Sequence, residues 1–393
     1  MMKKTVCDID VANKTVLVRV DFNVPLAQGT VADDTRLRAT VPTIDLLRER
    51  GAKTVLVSHL GRPKGVTVDT LRLAPVAARL SDLLDIPVHS PPDCVGPAAQ
   101  AAVKALQPGG VLLLENVRFH AEEEENDPGF AWQLASLADV FVNDAFGAAH
   151  RAHASTVGVT EFLPSVAGLL MEQEISTLAQ LLQSPERPFA ALIGGAKIST
   201  KIGVLTHLLP SIDVLIAGGG IANTLLKAQG KAVGKSLVED AQLSVAEEFL
   251  QHAEESGVDV LLPTDAVTGN ISNSTGATYI VNIANVPPDA MIGDLGPETV
   301  KAIEAVLASA RTVLWNGPLG LFEQERFAGS TFAIARALAK SQAVSIVGGG
   351  ETVAAIEACG VAAKITHVST GGGATLEFLE GRTLPGVAAL DDA

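Results

Sequence analysis

The sequence predicts an α/β fold of two lobes, each built on a parallel sheet flanked by helices. Three observations carry this reading. Short apolar runs alternate with helical patterns along the whole chain, which is the mark of βαβ units and parallel sheets. At 393 residues the chain is too long for one ordinary hydrophobic core. The residues that follow the apolar runs also change character midway. In the first half they are Arg, His, Asp and Asn; in the second they are glycine runs with lysine close behind.

The first strand is expected at Thr15–Val20, running into Asp21, Phe22 and Asn23. Further strands of the first lobe are read at Thr54–Ser58, Val111–Leu114 and Val140–Asn143, with helical patterns such as Thr40–Arg50 and Ala74–Leu84 between them. From Val166 to Leu182 the apolar residues Val166, Leu169, Leu170, Ile175, Leu178, Leu181 and Leu182 form a helical stripe. It stops at Ser184-Pro185-Glu186-Arg187-Pro188, where proline ends a helix. This stripe is read as the connector. It divides the chain into a first lobe, 1–165, a connecting helix, 166–184, and a second lobe, 185–384. Strands of the second lobe are expected at Ala190–Ile193, Val214–Ala217, Val260–Leu262, Thr312–Trp315, Val344–Val347 and Thr366–Ser369. Leu384-Pro385-Gly386 breaks regular structure, and the tail beyond it, 385–393, is apolar enough over Val387–Leu390 to dock.

Composition excludes several classes. A net charge of −15 opposes non-specific binding to nucleic acid or anionic membrane. No apolar stretch of about 18 residues is present, so no membrane span is expected. Met1–Asp10 carries two lysines without the apolar segment of a secretory signal, so a cytoplasmic protein is expected. Cys7, Cys94 and Cys359 are too scattered for a disulfide framework or a metal knuckle. The sequons Asn270-Ile271-Ser272 and Asn273-Ser274-Thr275 carry little weight without a signal. The acidic run Glu122–Glu125 reads as a solvated loop.

In an open parallel sheet, ligands bind at the carboxyl ends of the strands. The first-lobe exits supply Asp21 and Asn23, then Arg36 beyond the polar loop Gln28–Thr35, then His59 and Arg62, Arg118, and finally Arg151. Arginine forks match carboxylate and phosphate oxygens at two points, and clustered arginines need anions. A small polyanionic substrate carrying carboxylate or phosphate groups follows. His59, His150 and His153 lack the company that a zinc site requires.

The second lobe reads as a phosphate cradle. Ile193-Gly194-Gly195-Ala196-Lys197 is expected to open a helix running through Lys201, with Lys197 and Lys201 on one face. A lysine in the first turn opposes the helix dipole unless a phosphate lies there. Gly218–Gly220, Gly348–Gly350 and Gly371–Gly373 also follow strands, where glycine lets backbone N–H groups approach oxyanions. Four such runs favour a nucleotide. Asn316–Glu323 mixes turn formers with an apolar shelf, suiting a base and ribose. Glu351 is either a helix-start charge or a reader of the nucleotide's Mg²⁺. Gly230–Ser236 imitates a P-loop, but the Walker spacing puts Gln229 where glycine belongs.

VRVDFNVP, SHLGRP, LENVRFH, NDAFGAAHRAHAS, IGGAKISTKI, AGGGIANTLL, WNGPLGLFE, GGGET and HVSTGGGATLEFLEG together resemble the phosphoglycerate kinase family over essentially the whole chain. The resemblance implies two Rossmann-like lobes joined by a hinge helix, with the tail returning to the first lobe. It implies Mg²⁺-dependent phosphoryl transfer between 1,3-bisphosphoglycerate and ADP, giving 3-phosphoglycerate and ATP, in a cytoplasmic monomer. Asp21, Asn23, Arg36, His59, Arg62, Arg118 and Arg151 would hold the phosphoglycerate. Lys197, Lys201, Gly219, Gly220, Asn316, Glu323, Gly349, Gly350, Glu351 and Thr352 would border the nucleotide. Arg36, Lys197 and Gly371, Gly372 and Gly373 would stabilise the group in flight. The family usually carries Asp where this chain has Glu351.

Overall fold

A computed structural model describes residues 3–270 and 276–393. The second sequon and most of the first lie in 271–275, outside the described residues. The chain forms two compact units, Met1–Ser176 with Thr383–Ala393, and Thr177–Arg382. Among the described residues, no helix is long and apolar enough to cross a membrane.

The first unit holds a six-stranded sheet. Its strands are β1 (Thr15–Arg19), β4 (Lys53–Val57), β5 (Val88–His89), β6 (Val111–Leu113), β7 (Val140–Asn143) and β8 (Ser165–Ala167), while β2 (Leu26–Ala27) and β3 (Thr30–Val31) form a separate antiparallel ribbon. The sheet order is β5-β6-β4-β1-β7-β8, and every pairing in it is parallel. Central β1 is buried at every position but Thr15, as its near-continuous apolar run requires when both faces are covered by helices. The expected first-lobe strands all appear, shifted by no more than one residue at an end.

One expected boundary needs correction. The helical stripe starts at Leu169, not Val166, because Ser165–Ala167 is edge strand β8 paired with β7. Gly168 makes the corner, where any Cβ would lie 2.1 Å from the Asp144 carboxylate. The helix then runs Leu169–Gln183, and its first turn is anchored. Asp144 Oδ1 accepts hydrogen bonds from the backbone N–H groups of Leu170 (2.9 Å) and Met171 (3.2 Å). The C-terminal tail packs on this unit. Lys4 N donates to Asp391 O at 2.9 Å, Gly386 N to Ala149 O at 2.8 Å, and Asn143 Nδ2 to Gly386 O at 3.0 Å.

The second unit has a parallel sheet of β9 (Phe189–Ile193), β10 (Val214–Ala217), β11 (Asp259–Leu261), β15 (Thr312–Asn316), β16 (Val344–Gly348) and β17 (His367–Val368). Its order is β11-β10-β9-β15-β16-β17, the doubly wound arrangement whose strand order reverses between β9 and β15. Fully buried Trp315 centres the core with Leu192, Ile216, Val313 and Val347. Between β11 and β15 the chain adds an antiparallel sheet, β12 (Asp265–Gly269), β13 (Thr278–Asn282) and β14 (Met291–Leu295), ordered β13-β12-β14. The alternating βα pattern gave no sign of it.

The helix expected to open at Gly194 does not form there. Lys197 is extended, Ile198–Thr200 is a short 3₁₀ turn, and the α-helix begins only at Ile202. Lys197 and Lys201 therefore do not share a helix face. The two glycines ahead of them favour a loop over a helix start.

Candidate active site

In the first unit, the carboxyl ends of the strands gather the cations. Arg36, in the first turn of the helix Thr35–Glu49, spends one terminal nitrogen on Asp21 Oδ2 (2.9 Å) and Asn23 O (3.1 Å). Its other terminal nitrogen has no partner among the described residues, so half the fork faces outward. Asn23 Oδ1 accepts from Gly61 N at 2.9 Å, and Arg118 donates to Gly61 O at 2.9 Å while pairing Glu124 at 3.1 Å. These bonds tie the exits of β1, β4 and β6 together. Arg151 is exposed and donates from Nε to His150 Nε2 at 3.1 Å. Arg62 is exposed on the same loop as Gly61 and makes no hydrogen bond or ion pair among the described residues.

Beneath these groups lies a buried polar network that sequence reading missed. Arg19, the last residue of β1, is 1% exposed. Its guanidinium donates to Ser155 Oγ (2.8 Å), to the Val20 carbonyl and to His59 Nδ1 (3.1 Å). Ser155 in turn donates N–H (2.8 Å) and O–H (2.6 Å) to the Glu123 carboxylate. Glu123 has no exposure at all. The acidic run is thus no solvated loop at this position; one of its members turns inward as the counter-charge of Arg19.

The network fixes the state of His59. Burial, joined by the positive charges of Arg19, Arg118 and Arg36, holds its pKa well below the usual histidine value. Burial, reinforced by Arg118, Arg19 and Arg151, likewise lowers His153 to about 4. Both rings are neutral at pH 7. Arginine can only donate, so His59 Nδ1 is the acceptor and the ring carries its proton on Nε2. A cation-lined edge thus also offers one neutral N–H donor.

In the second unit, the strand exits divide into packed and open glycines. A Cβ at Gly194 would sit 2.0 Å from Pro318 O, and one at Gly220 2.1 Å from Ala196 O. These glycines let the exits of β9, β10 and β15 lie against one another. Among the described residues, by contrast, nothing lies within 4 Å of a Cβ built at Gly350 or Gly372, so a side chain would have open space there. Space is thus left at Gly350 and Gly372, whereas Gly219 and Gly220 are packed against the backbone of Gly195 and Ala196.

Lys201 Nζ donates to Gly194 O (2.7 Å) and Asn316 O (3.0 Å), across the point where strand order reverses. Burial lowers its pKa to about 8, opposed by the charge of Glu351. Lys197 is exposed. Thr352 Oγ1 accepts from Gly317 N at 2.7 Å, which fixes the Asn316–Gly317 turn against the helix Gly350–Ala358. Among the described residues Asn316 Nδ2 is buried without an acceptor, beside Gly349. Glu351 and Glu323 are exposed, and neither makes a hydrogen bond or ion pair among the described residues.

One unit with arginines at its strand exits and another with glycine runs beside lysine carry the equipment of an enzyme that moves phosphoryl groups between anions. Comparison with known proteins agrees. The sequence profile of the family described as phosphoglycerate kinase matches residues 6–382. The phosphoglycerate kinase of Moorella thermoacetica is 58% identical over 392 residues, covering 100% of both chains. That of Pelotomaculum thermopropionicum is 56% identical with the same coverage. Among solved structures, phosphoglycerate kinase from Coxiella burnetii matches with a TM-score of 0.89 and 42% identity over 98% of each chain. The chain belongs to the phosphoglycerate kinase family.

Proposed function

We propose that the two units divide one reaction, the first holding phosphoglycerate and the second the nucleotide. The activity of the family is reversible phosphoryl transfer between 1,3-bisphosphoglycerate and ADP, giving 3-phosphoglycerate and ATP in glycolysis; it is a transferase with a carboxyl acceptor (EC 2.7.2.3). The observation that carries the assignment of substrates is the contrast between the two sheet edges.

In this reading the outward half of the Arg36 fork, with Arg62, Arg118, Arg151 and the His59 Nε2–H, binds the phosphoglycerate oxygens. Asp21 and Asn23 hold Arg36 in place. Lys197, Lys201 and the backbone of the Gly348–Gly350 and Gly371–Gly373 runs receive the nucleotide phosphates and the group in flight. Asn316, Glu323 and Thr352 border the base and ribose. An acyl phosphate is already activated, so no protein nucleophile is needed, and catalysis reduces to positioning and charge neutralisation. The exposed, unpaired carboxylate of Glu351, in the first turn of its helix, suits Mg²⁺ carried by the nucleotide. Mg²⁺ takes one or two carboxylates together with substrate phosphates, and when bound it neutralises phosphate charge. The substrates sit on different units, so transfer requires the units to close, with the helix Leu169–Gln183 as hinge. The protein acts as a cytoplasmic monomer.

A coupled assay with ATP, Mg²⁺ and 3-phosphoglycerate against other small carboxylates tests the assignment. Turnover is expected with 3-phosphoglycerate alone, and equal rates with an unphosphorylated acid would reject it. Arg36→Ala should lower kcat by about 10²–10³-fold with little change in the KM for ATP. An unchanged kcat removes Arg36 from the transition state.

A further inference from the structure

The loops leaving β5 and β6 bring three side chains of different chemistry together. Asp93 and Cys94 follow β5 after the pair Pro91-Pro92, and His120 follows β6. The two strands are parallel neighbours, so both loops leave the same sheet edge. One donor atom from each residue, a carboxylate oxygen, the sulfur and a ring nitrogen, lies within 4.8 Å of the other two. We propose that Asp93, Cys94 and His120 form a site for a borderline-soft divalent cation of the Zn²⁺ class, with three protein ligands and a fourth position for water.

The donor set gives the class. Thiolate and imidazole select Zn²⁺ or Co²⁺ over Mg²⁺, which prefers six oxygens in an octahedron. The Mg²⁺ that accompanies the nucleotide is therefore a poor competitor. The distances are also within reach. Tetrahedral zinc places its N–O and N–S ligand pairs about 3.3–3.5 Å apart, from the usual bond lengths. His120 Nε2 and Asp93 Oδ1 are 2.7 Å apart, so they must open by about 0.6 Å to reach that spacing. The separations to the Cys94 sulfur are no more than 4.8 Å and must also settle at ligand spacing on binding.

The surroundings hold the donors in place. Two prolines stiffen the approach to Asp93. The His120 ring packs on Phe130 with centroids 5.1 Å apart. Cys94 N donates to Asp93 Oδ1 at 2.7 Å, which ties the carboxylate to the backbone of Cys94. Cys94 is buried while Asp93 and His120 reach solvent, so a cation enters on their side and meets the sulfur last. On binding, the Cys94 thiol loses its proton to solvent and its sulfur lone pair bonds the metal. The proton on His120 Nε2 moves to Nδ1, freeing Nε2 as a ligand. One carboxylate and one thiolate balance the two charges of the cation. None of the three residues belongs to the anion-binding set described above.

The test is a CoCl₂ titration of the full chain read by absorption. The expected result is a thiolate-to-cobalt charge-transfer band with intense tetrahedral ligand-field bands, saturating at one equivalent. Excess Zn²⁺ should erase it, and excess Mg²⁺ should not. Cys94→Ser should abolish the charge-transfer band, while Cys7→Ser leaves it intact. His120→Gln and Asp93→Asn change solvent-reaching side chains and should weaken cobalt binding at least about tenfold. Absence of the band in the unmodified protein, its survival in Cys94→Ser, or unchanged affinity in both His120→Gln and Asp93→Asn would overturn the proposal and leave a hydrogen-bonded turn only.

Discussion

Replacing Glu123 by Gln keeps the shape of a buried side chain and removes its charge, so it isolates what the Arg19 guanidinium requires. The two charges communicate through one hydroxyl. Arg19 Nε lies 2.8 Å from Ser155 Oγ, and Ser155 Oγ lies 2.6 Å from Glu123 Oε1. End to end this places the charges about 5 Å apart, worth about 3 kcal/mol at an effective dielectric of about 20. That agrees with the ~3–5 kcal/mol lost when one partner of a buried pair is removed. Glu123→Gln should therefore cost about 3 kcal/mol. The double variant with Arg19→Met should recover much of this, because no unpaired charge then remains. Urea unfolding followed by hydrogen exchange of β1 and of the helix Pro128–Ala135 reads the correct unit, since that helix lies next along the chain from Glu123. Strict additivity of the two changes, or a loss under 1 kcal/mol for Glu123→Gln, would refute the coupling. The folded double variant should still bind phosphoglycerate weakly, because His59 has lost the donor that fixes its tautomer.

Three further outcomes follow from the geometry. His153 has a folded pKa of about 4, below its unfolded value, so its contribution to stability is present above pH 6.5 and lost as pH falls toward 4. The loss amounts to about 3 kcal/mol, and His153→Asn should flatten that part of the stability profile; an identical profile would refute it. Lys201 loses its proton near pH 8, so the KM for ATP should rise between pH 7.5 and 9.5 in the native enzyme and stay level in Lys201→Arg. A matching rise in the variant would exclude Lys201 as the cause. Gly220→Ala forces a Cβ against a backbone carbonyl and should cost at least about 2 kcal/mol in thermal unfolding, whereas Gly350→Ala should unfold within about 0.5 kcal/mol of the native protein; equal losses would contradict the division into packed and open glycines.

Much of the fold was legible because parallel strands buried on both faces read as apolar runs whatever surrounds them. That is why β1, β7 and β10 stood out, and why the polar residues beyond them could be placed at the sheet edges. The two-residue strand β5 is too short to give a pattern. Strand β8 was absorbed into a helical stripe because Val166 fits that spacing by chance. The β12–β14 sheet interrupts the βα alternation and breaks no rule that a single sequence reveals. The residues proposed to bind the anion were legible as types at strand exits. Arg19 was not, since a charge inside an apolar run gives no hint of its partner. Its counter-charge, Glu123, hides in a run of four acids, and only the fold distinguishes the one that turns inward. The packed glycines failed for a related reason: sequence marks a missing side chain but not what occupies its space.

The fastening of the tail has a consequence for how the chain is made. Asn143 Nδ2 waits for the carbonyl of a residue 243 positions later, and Lys3 joins Asp392 across 389 positions. The whole second unit is spelled out in between. Until the last residues leave the ribosome the first unit lacks its closing segment, so the earlier-made half matures no sooner than the later one. Such distant closures slow folding more than they alter final stability. A free chain truncated after residue 382 should therefore hold an ordered second unit and a first unit open to protease near Asn143 and Ala149, and a synthetic peptide of the last eleven residues should restore its protection.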